Sequence, residues 1–201
     1  MSVRDALLAI LTLGPAYGHQ LHSELGARTP HRGPINVGQI YGTLDRLTAR
    51  KLIEPAGTTD DSLPLHRLTG AGRAAADRWM SSAEIAGLPE WTEMLDQVVV
   101  VSSIAPDRAK ALAEDFRRWW EEDLAAARAA TEPEHLDARL AAIAREAQGV
   151  AAIAWLGSAI AALSDYEGFR PLSAARPRRG RRPTPPSPAD LRSPSARPID
   201  R

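Results

Sequence analysis

The stretch Asn36–Gly57, NVGQIYGTLDRLTARKLIEPAG, opens as a helix and finishes as a strand. Asn36 reads as the N-cap, with Gln39 three residues on to return the bond in a variant of the capping box. Val37, Ile40, Leu44 and Leu47 recur at i, i+3, i+7 and i+10, one apolar stripe that faces a core. At about 100° per residue, Gln39, Gly42, Arg46 and Ala49 lie opposite, with Asp45 beside them. A solvated helix face ordinarily carries Glu and Lys, yet this one keeps small residues among hydrogen-bonding ones. Small residues permit close approach, and Gln and Arg can pair with base edges. The bland alternative is a solvated face that happens to be short of Lys and Glu.

The flanking sequence favours the first reading. VRDALLAILTL is a helix capped by Ser2 and stopped at Gly14-Pro15, where glycine suits the left-handed position after a helix. AYGHQLHSELGAR gives a second helix with Leu21 and Leu25 on one face, and TPHRGPI breaks the chain again. Downstream, LIEPAG and LPLHRLT are two short strands joined by the polar TTDDS. Thr69 is a candidate cap for a fourth helix, GAGRAAADRWM. Three helices followed by a two-stranded wing is the winged form of the helix-turn-helix. There, the last helix before the wing enters the major groove.

Three fragments in register now resemble the PadR family of bacterial transcriptional regulators. LLAILTLGPAYGHQL (Leu7–Leu21) is similar to its first helix and Gly-Pro turn, and GQIYGTLDRLTARKLIE (Gly38–Glu54) to its recognition helix running into the wing. HRLTGAGR (His66–Arg73) is similar to the last wing strand and the entry to the next helix. The resemblance covers residues 3–80. It implies a homodimeric regulator of double-stranded DNA, most often a repressor, released by a small-molecule effector or another signal. The DNA-contacting residues expected from it and from the helical wheel are Gln39, Gly42 and Arg46 for base edges, and Tyr17, Tyr41, Thr43 and Arg50 for phosphates. His66 and Arg67 are expected to contact from the wing. One departure is the wing tip, where Asp60 and Asp61 stand in place of the usual basic residues.

Charge divides the chain into three. Residues 1–80 hold nine basic and seven acidic side chains, residues 81–166 seven and fifteen, and residues 167–201 nine and three. The acidic middle should repel DNA, while the two ends attract it. These limits are the expected domains: a winged helix over 1–80, a helical dimerisation and possible effector-binding domain over 81–166, and a disordered basic tail rich in Pro, Arg and Ser over 167–201. The fold class expected is mainly α.

Within the middle, Val98–Val101 alone suggests a buried strand; with no second strand to pair with, TEMLDQVVVVSSI reads as helix. PDRAKALAEDFRRWWEEDLAAARAA follows, with a proline at its first position. From Glu134 to Leu163 a long helix places Leu136, Leu140, Ile143, Ala147, Val150, Ala154 and Gly157 at alternating steps of four and three, a coiled-coil-like seam. Its end is apolar almost all round, and a second copy is the economical cover. Leu140, Ile143, Val150, Ile153, Leu156 and Ile160 are the expected dimerisation residues. Trp91, Trp119, Trp120 and Trp155 either line an effector pocket or pack, and packing is favoured.

Other chemistries find little support. The chain has no cysteine, so disulfides and thiolate metal sites are excluded. His19, His22 and His31 with Glu24 lack convincing metal spacing, so no metal or cofactor is expected. No nucleophile–base arrangement or phosphate-cradling loop stands out, which argues against an enzyme. No apolar run is read as approaching the roughly 20 residues that cross a bilayer, and no signal peptide is read at the start. The expected location is cytoplasmic, without a membrane partner. The competing function is a winged-helix protein-interaction module with no specific DNA site.

Overall fold

In α1, Val3–Leu11, every residue except Arg4 is buried. The helix is therefore the central post of the N-terminal region. The computed structural model describes residues 3–83, 90–131, 133–166 and 168–174. The expected Ser2 cap and the tail beyond residue 174 lie outside these.

Around α1 stand α2 (Gly18–Arg28), α3 (Val37–Ala49) and α4 (Gly70–Ser81). A hairpin of β2 (Ile53–Thr58) and β3 (Pro64–Leu68) joins α3 to α4. The sheet has a third strand beyond the expected two: β1, Ala16–Tyr17, pairs antiparallel with β3, Ala16 opposite His66 and Tyr17 opposite Leu65. The order is β1-β3-β2. Ala16 and Tyr17, expected in the second helix, are instead the strand that ties the first turn to the wing.

The ends of these helices are written in their residues. The Asn36 side chain accepts from the Gly38 N–H at 2.7 Å, one position earlier than a capping box predicts. At the far end of α3, Lys51 adopts φ 55°, Leu52 N–H donates to Leu47 O at 3.0 Å, and Lys51 N–H donates to Thr48 O at 2.9 Å. That pair of bonds is a Schellman close, which turns the chain straight into β2. Thr69 caps α4 as expected, accepting from Gly72 N–H at 3.1 Å while its hydroxyl donates to Lys51 O at 2.7 Å.

The other described helices are α5 (Trp91–Ser102), α6 (Pro106–Ala129) and α7 (Leu136–Ser164). Val98–Val101 is helical, as read from the sequence. Two apolar clusters hold the molecule. The larger runs through α1–α4 and Ile53, and also takes in Val100, Val101, Ala109 and Leu112 of α5 and α6. The smaller joins Met94, Val98, Phe116, Trp120, Ala152 and Leu156, with Trp91, Trp119 and Trp155 half-buried against it.

Polar anchors reinforce the join. Asp96 of α5 is fully buried and accepts from His31 at 2.8 Å and Arg32 Nε at 2.6 Å, both in the α2–α3 turn. Residues 168–174, expected as the start of a disordered tail, instead lie along α2. The buried Arg28 guanidinium supplies the reason by donating to the Arg170 and Pro171 carbonyls.

One expectation on α7 is corrected. The helix is long and apolar enough, by length and composition, to cross a membrane. Residues 147–164 carry no charge, and the glycine, serine and glutamine among them interrupt the run only weakly.

Candidate nucleic-acid interface

Ile40, Leu44 and Leu47 seal one side of α3 into the larger cluster. Val37, expected on the same stripe, is 42% exposed because it stands in the first turn, beyond the edge of that core. Along the open side, Gln39, Tyr41, Asp45, Arg46, Ala49 and Arg50 are exposed. Gly42 lies in their midst, and a Cβ there would meet only the Arg46 guanidinium at 3.6 Å.

Thr43 is buried, unlike its neighbours on the expected contact face. Its hydroxyl donates to Gln39 O at 2.7 Å and accepts from Arg46 Nη2 at 2.9 Å. Thr43 therefore fixes where Arg46 points rather than presenting itself. A groove beside it is lined by Gln39, Thr43, Arg46, Leu47 and Arg50 of α3 together with Val3 and Arg4 of α1. Arg4, whose Nε donates to Asp5 at 2.8 Å, brings a third guanidinium to this groove. Sequence reading missed it, because nothing in the first helix's own pattern says that its N-terminus stands against α3.

Tyr17 is buried, held by its pairing with β3. Tyr41 is 48% exposed and its ring lies against Gly18, where a Cβ would come within 2.6 Å of the ring. Gly18 is thus the reason α2 and α3 can approach so closely at this edge.

On the wing, Arg67 pairs across the strands with Glu54 at 2.8 Å. His66 is half-buried, and desolvation lowers its pKa below the ordinary 6.5, opposed by the nearby Asp45 carboxylate. At neutral pH this imidazole is uncharged. Two of the expected wing contacts are therefore partly engaged already, one in an ion pair and one by burial.

The C-terminal candidates divide. Leu140, Ile143 and Val150 are 57%, 62% and 47% exposed along the outer side of α7, and Leu136 is 68% exposed. Leu156 is fully buried within the chain, and Ile153 and Ile160 are half-buried against the smaller cluster. The inner flank of α7 is tied to α6 by Arg128–Glu146 at 2.8 Å and by Arg145–Asp123. Trp120 is fully buried, its N–H donating to Met94 Sδ at 3.4 Å. Trp119 meets it edge-on at 5.1 Å, and Trp91 meets Trp155 at 5.7 Å. These geometries belong to packed aromatics. Among the described residues, no group of three or more His, Asp or Glu is placed to hold a metal ion.

Three helices leading into an antiparallel wing, with the third helix open along one polar face, define a winged helix-turn-helix protein. Residues 7–78 match the Transcriptional regulator PadR-like family, and this region belongs to it. No curated protein matches the chain. Among solved structures, Bacillus subtilis PadR in complex with operator DNA is 18% identical, with 81% of this chain and 98% of that one covered and a TM-score of 0.39. The same protein in complex with p-coumaric acid is also 18% identical, covering 82% and 100% with a TM-score of 0.38. The PadR-like transcriptional regulator BC1756 from Bacillus cereus is 16% identical, covering 81% and 98% with a TM-score of 0.35.

Proposed function

We propose that this chain is a homodimeric, sequence-specific DNA-binding repressor of PadR type, acting in the cytoplasm and relieved by a small-molecule effector. The carrying observation is α3. Its apolar stripe is sealed, and its open side offers Gln39, Arg46 and Arg50 around Gly42. In this reading Gln39 and Arg46 pair with base edges in the major groove, and Arg46 is held in register by Thr43. Tyr41 and Arg50 take phosphates, with Tyr17, His66 and Arg67 at the edges of the contact.

The exposed seam of α7 supports the second copy. Four large apolar side chains at coiled-coil spacing lie on its outer side, while its inner flank is ion-paired to α6. That charged inner flank favours a protein cover over lipid. The effector would enter at the half-buried Trp91 and Trp155, between α5 and α7.

A second reading, a winged-helix module that binds protein alone, is favoured by the acidic wing tip at Asp60 and Asp61. Selection from a random-sequence duplex pool separates the two. The repressor reading expects one enriched, two-fold-symmetric site, with Arg46→Ala or Gln39→Ala costing about 1–3 kcal/mol on it. Enrichment of no duplex, or unchanged affinity in both variants, would sink it.

A further inference from the structure

Residues 168–174 form a strap along α2, bonded near both ends of that helix. At its C-terminal end, buried Arg28 donates to the carbonyls of Arg170 at 2.8 Å and Pro171 at 3.3 Å. Arg170 answers with its own guanidinium to Ala27 O at 3.0 Å, and its N–H donates to Ser103 O at 2.8 Å. Nearer the N-terminal end, Ser173 N–H donates to Glu24 Oε1 at 2.6 Å, and Ser173 O accepts from Gln20 Nε2 at 2.9 Å. The strap therefore runs antiparallel to α2 and leaves it one turn from Gly18. Gly18 is the residue over which the Tyr41 ring of α3 lies. The chain thus departs beside the open face of α3, and the next residues are RPRRGRR, 176–182, with five arginines and no acid.

We propose that Arg176–Arg182 is a second DNA contact, made to phosphates flanking the α3 site, and that the strap makes it intramolecular with α3. The proposal rests on the reading of α3 given above. From Ser173, nine residues reach at most about 30 Å, which is close to one turn of duplex. An arm tethered at that range meets the phosphates at millimolar effective concentration instead of searching for them. The competing target is the acidic middle of this same chain. DNA is favoured on two counts. The strap points the arm toward α3. In addition, Asp77, Asp115, Glu121, Asp123 and Glu146 on α4, α6 and α7 are already paired with arginines.

The test uses a duplex enriched by the full-length chain from a random pool, either trimmed to the protected site or extended by about ten base pairs on each side, one further turn. Four chains are compared: full length, a stop after Ala174, Arg176, Arg178, Arg179, Arg181 and Arg182 all →Gln, and a Gly/Ser insertion of about 20 residues after Ala174. The full-length chain should bind the extended duplex about tenfold more tightly than the trimmed one. The stop and Gln chains should lose that gain, and each lost contact should make the slope of log affinity against log salt shallower by about 0.9. The insertion should lose about threefold, since the arm keeps its charge and loses its anchor. Affinity that ignores the flanks in the full-length chain would overturn the proposal, as would an insertion chain equal to full length. Tighter binding on truncation would assign the arm to the acidic middle instead. Enrichment of no duplex sinks the reading of α3 and this inference together; enrichment without flank dependence sinks this inference alone.

Discussion

Gly72 sits in the first turn of α4 against the main chain of Leu52, whose carbonyl would lie 1.9 Å from an added Cβ. That carbonyl also accepts the Thr69 N–H at 3.0 Å, so it cannot swing away without uncapping the helix. Gly72→Ala should destabilise the protein by about 1–3 kcal/mol, the range of core overpacking, measured by thermal or denaturant unfolding. Gly26, exposed on α2 with nothing within 4 Å of an added Cβ, is the matched control. There alanine should stabilise by about 0.5–1 kcal/mol. A Gly72→Ala protein as stable as the parent would mean that the α4 entry is looser than described. Neither difference is legible in sequence, where both are glycines in helical surroundings. The same limit applies to Thr43, which a helical wheel places near the contact face and which in fact faces inward to steer Arg46.

At the scale of elements, what could be read was what local chemistry dictates. The caps at Asn36 and Thr69, the apolar stripe of α3, the proline at the start of α6 and the helical nature of Val98–Val101 all follow from short-range pattern. What escaped was made by partners far along the chain. β1 is two residues long with no periodicity of its own, and it exists because Ala16 and Tyr17 meet His66 and Leu65. The strap is written as Arg, Pro and Ser, the composition of an unstructured segment. It is ordered because Arg28, 142 residues away from Arg170, lacks acceptors without it. On α7, Leu140→Asp together with Ile143→Asp should leave the unfolding transition of the single chain within about 0.5 kcal/mol, because both side chains are already exposed. Sedimentation should show the intact chain as a dimer at micromolar concentration and the double variant as a monomer. Equal sedimentation of the two would move the interface elsewhere.

At the scale of the whole molecule, the division by charge is not a division by core. Val100, Val101, Ala109 and Leu112 complete the cluster built by α1–α4, and Asp96 holds the α2–α3 turn. A fragment of residues 1–80 should therefore expose the apolar flank of α1 and α4 and lose cooperative unfolding. A fragment of residues 1–131 should retain it. Circular dichroism on heating, with amide hydrogen exchange over α1, checks both. A sharp transition in the shorter fragment would mean that α5 and α6 add little to the larger cluster.

The position of Arg28 has a consequence for the order of synthesis. Its guanidinium emerges from the ribosome early, with Glu24 one turn before it, but Ser103 is made 75 residues later and Arg170 142 residues later. Until those last carbonyls arrive, a cation destined for full burial is short of two acceptors, a deficit on the order of 1–3 kcal/mol. The DNA-binding half is thus finished by nearly the last residues that the structure describes. A product cut short before residue 170 carries an unfinished second helix, and proteases that sample exposed chain have grounds to remove it before it competes for DNA.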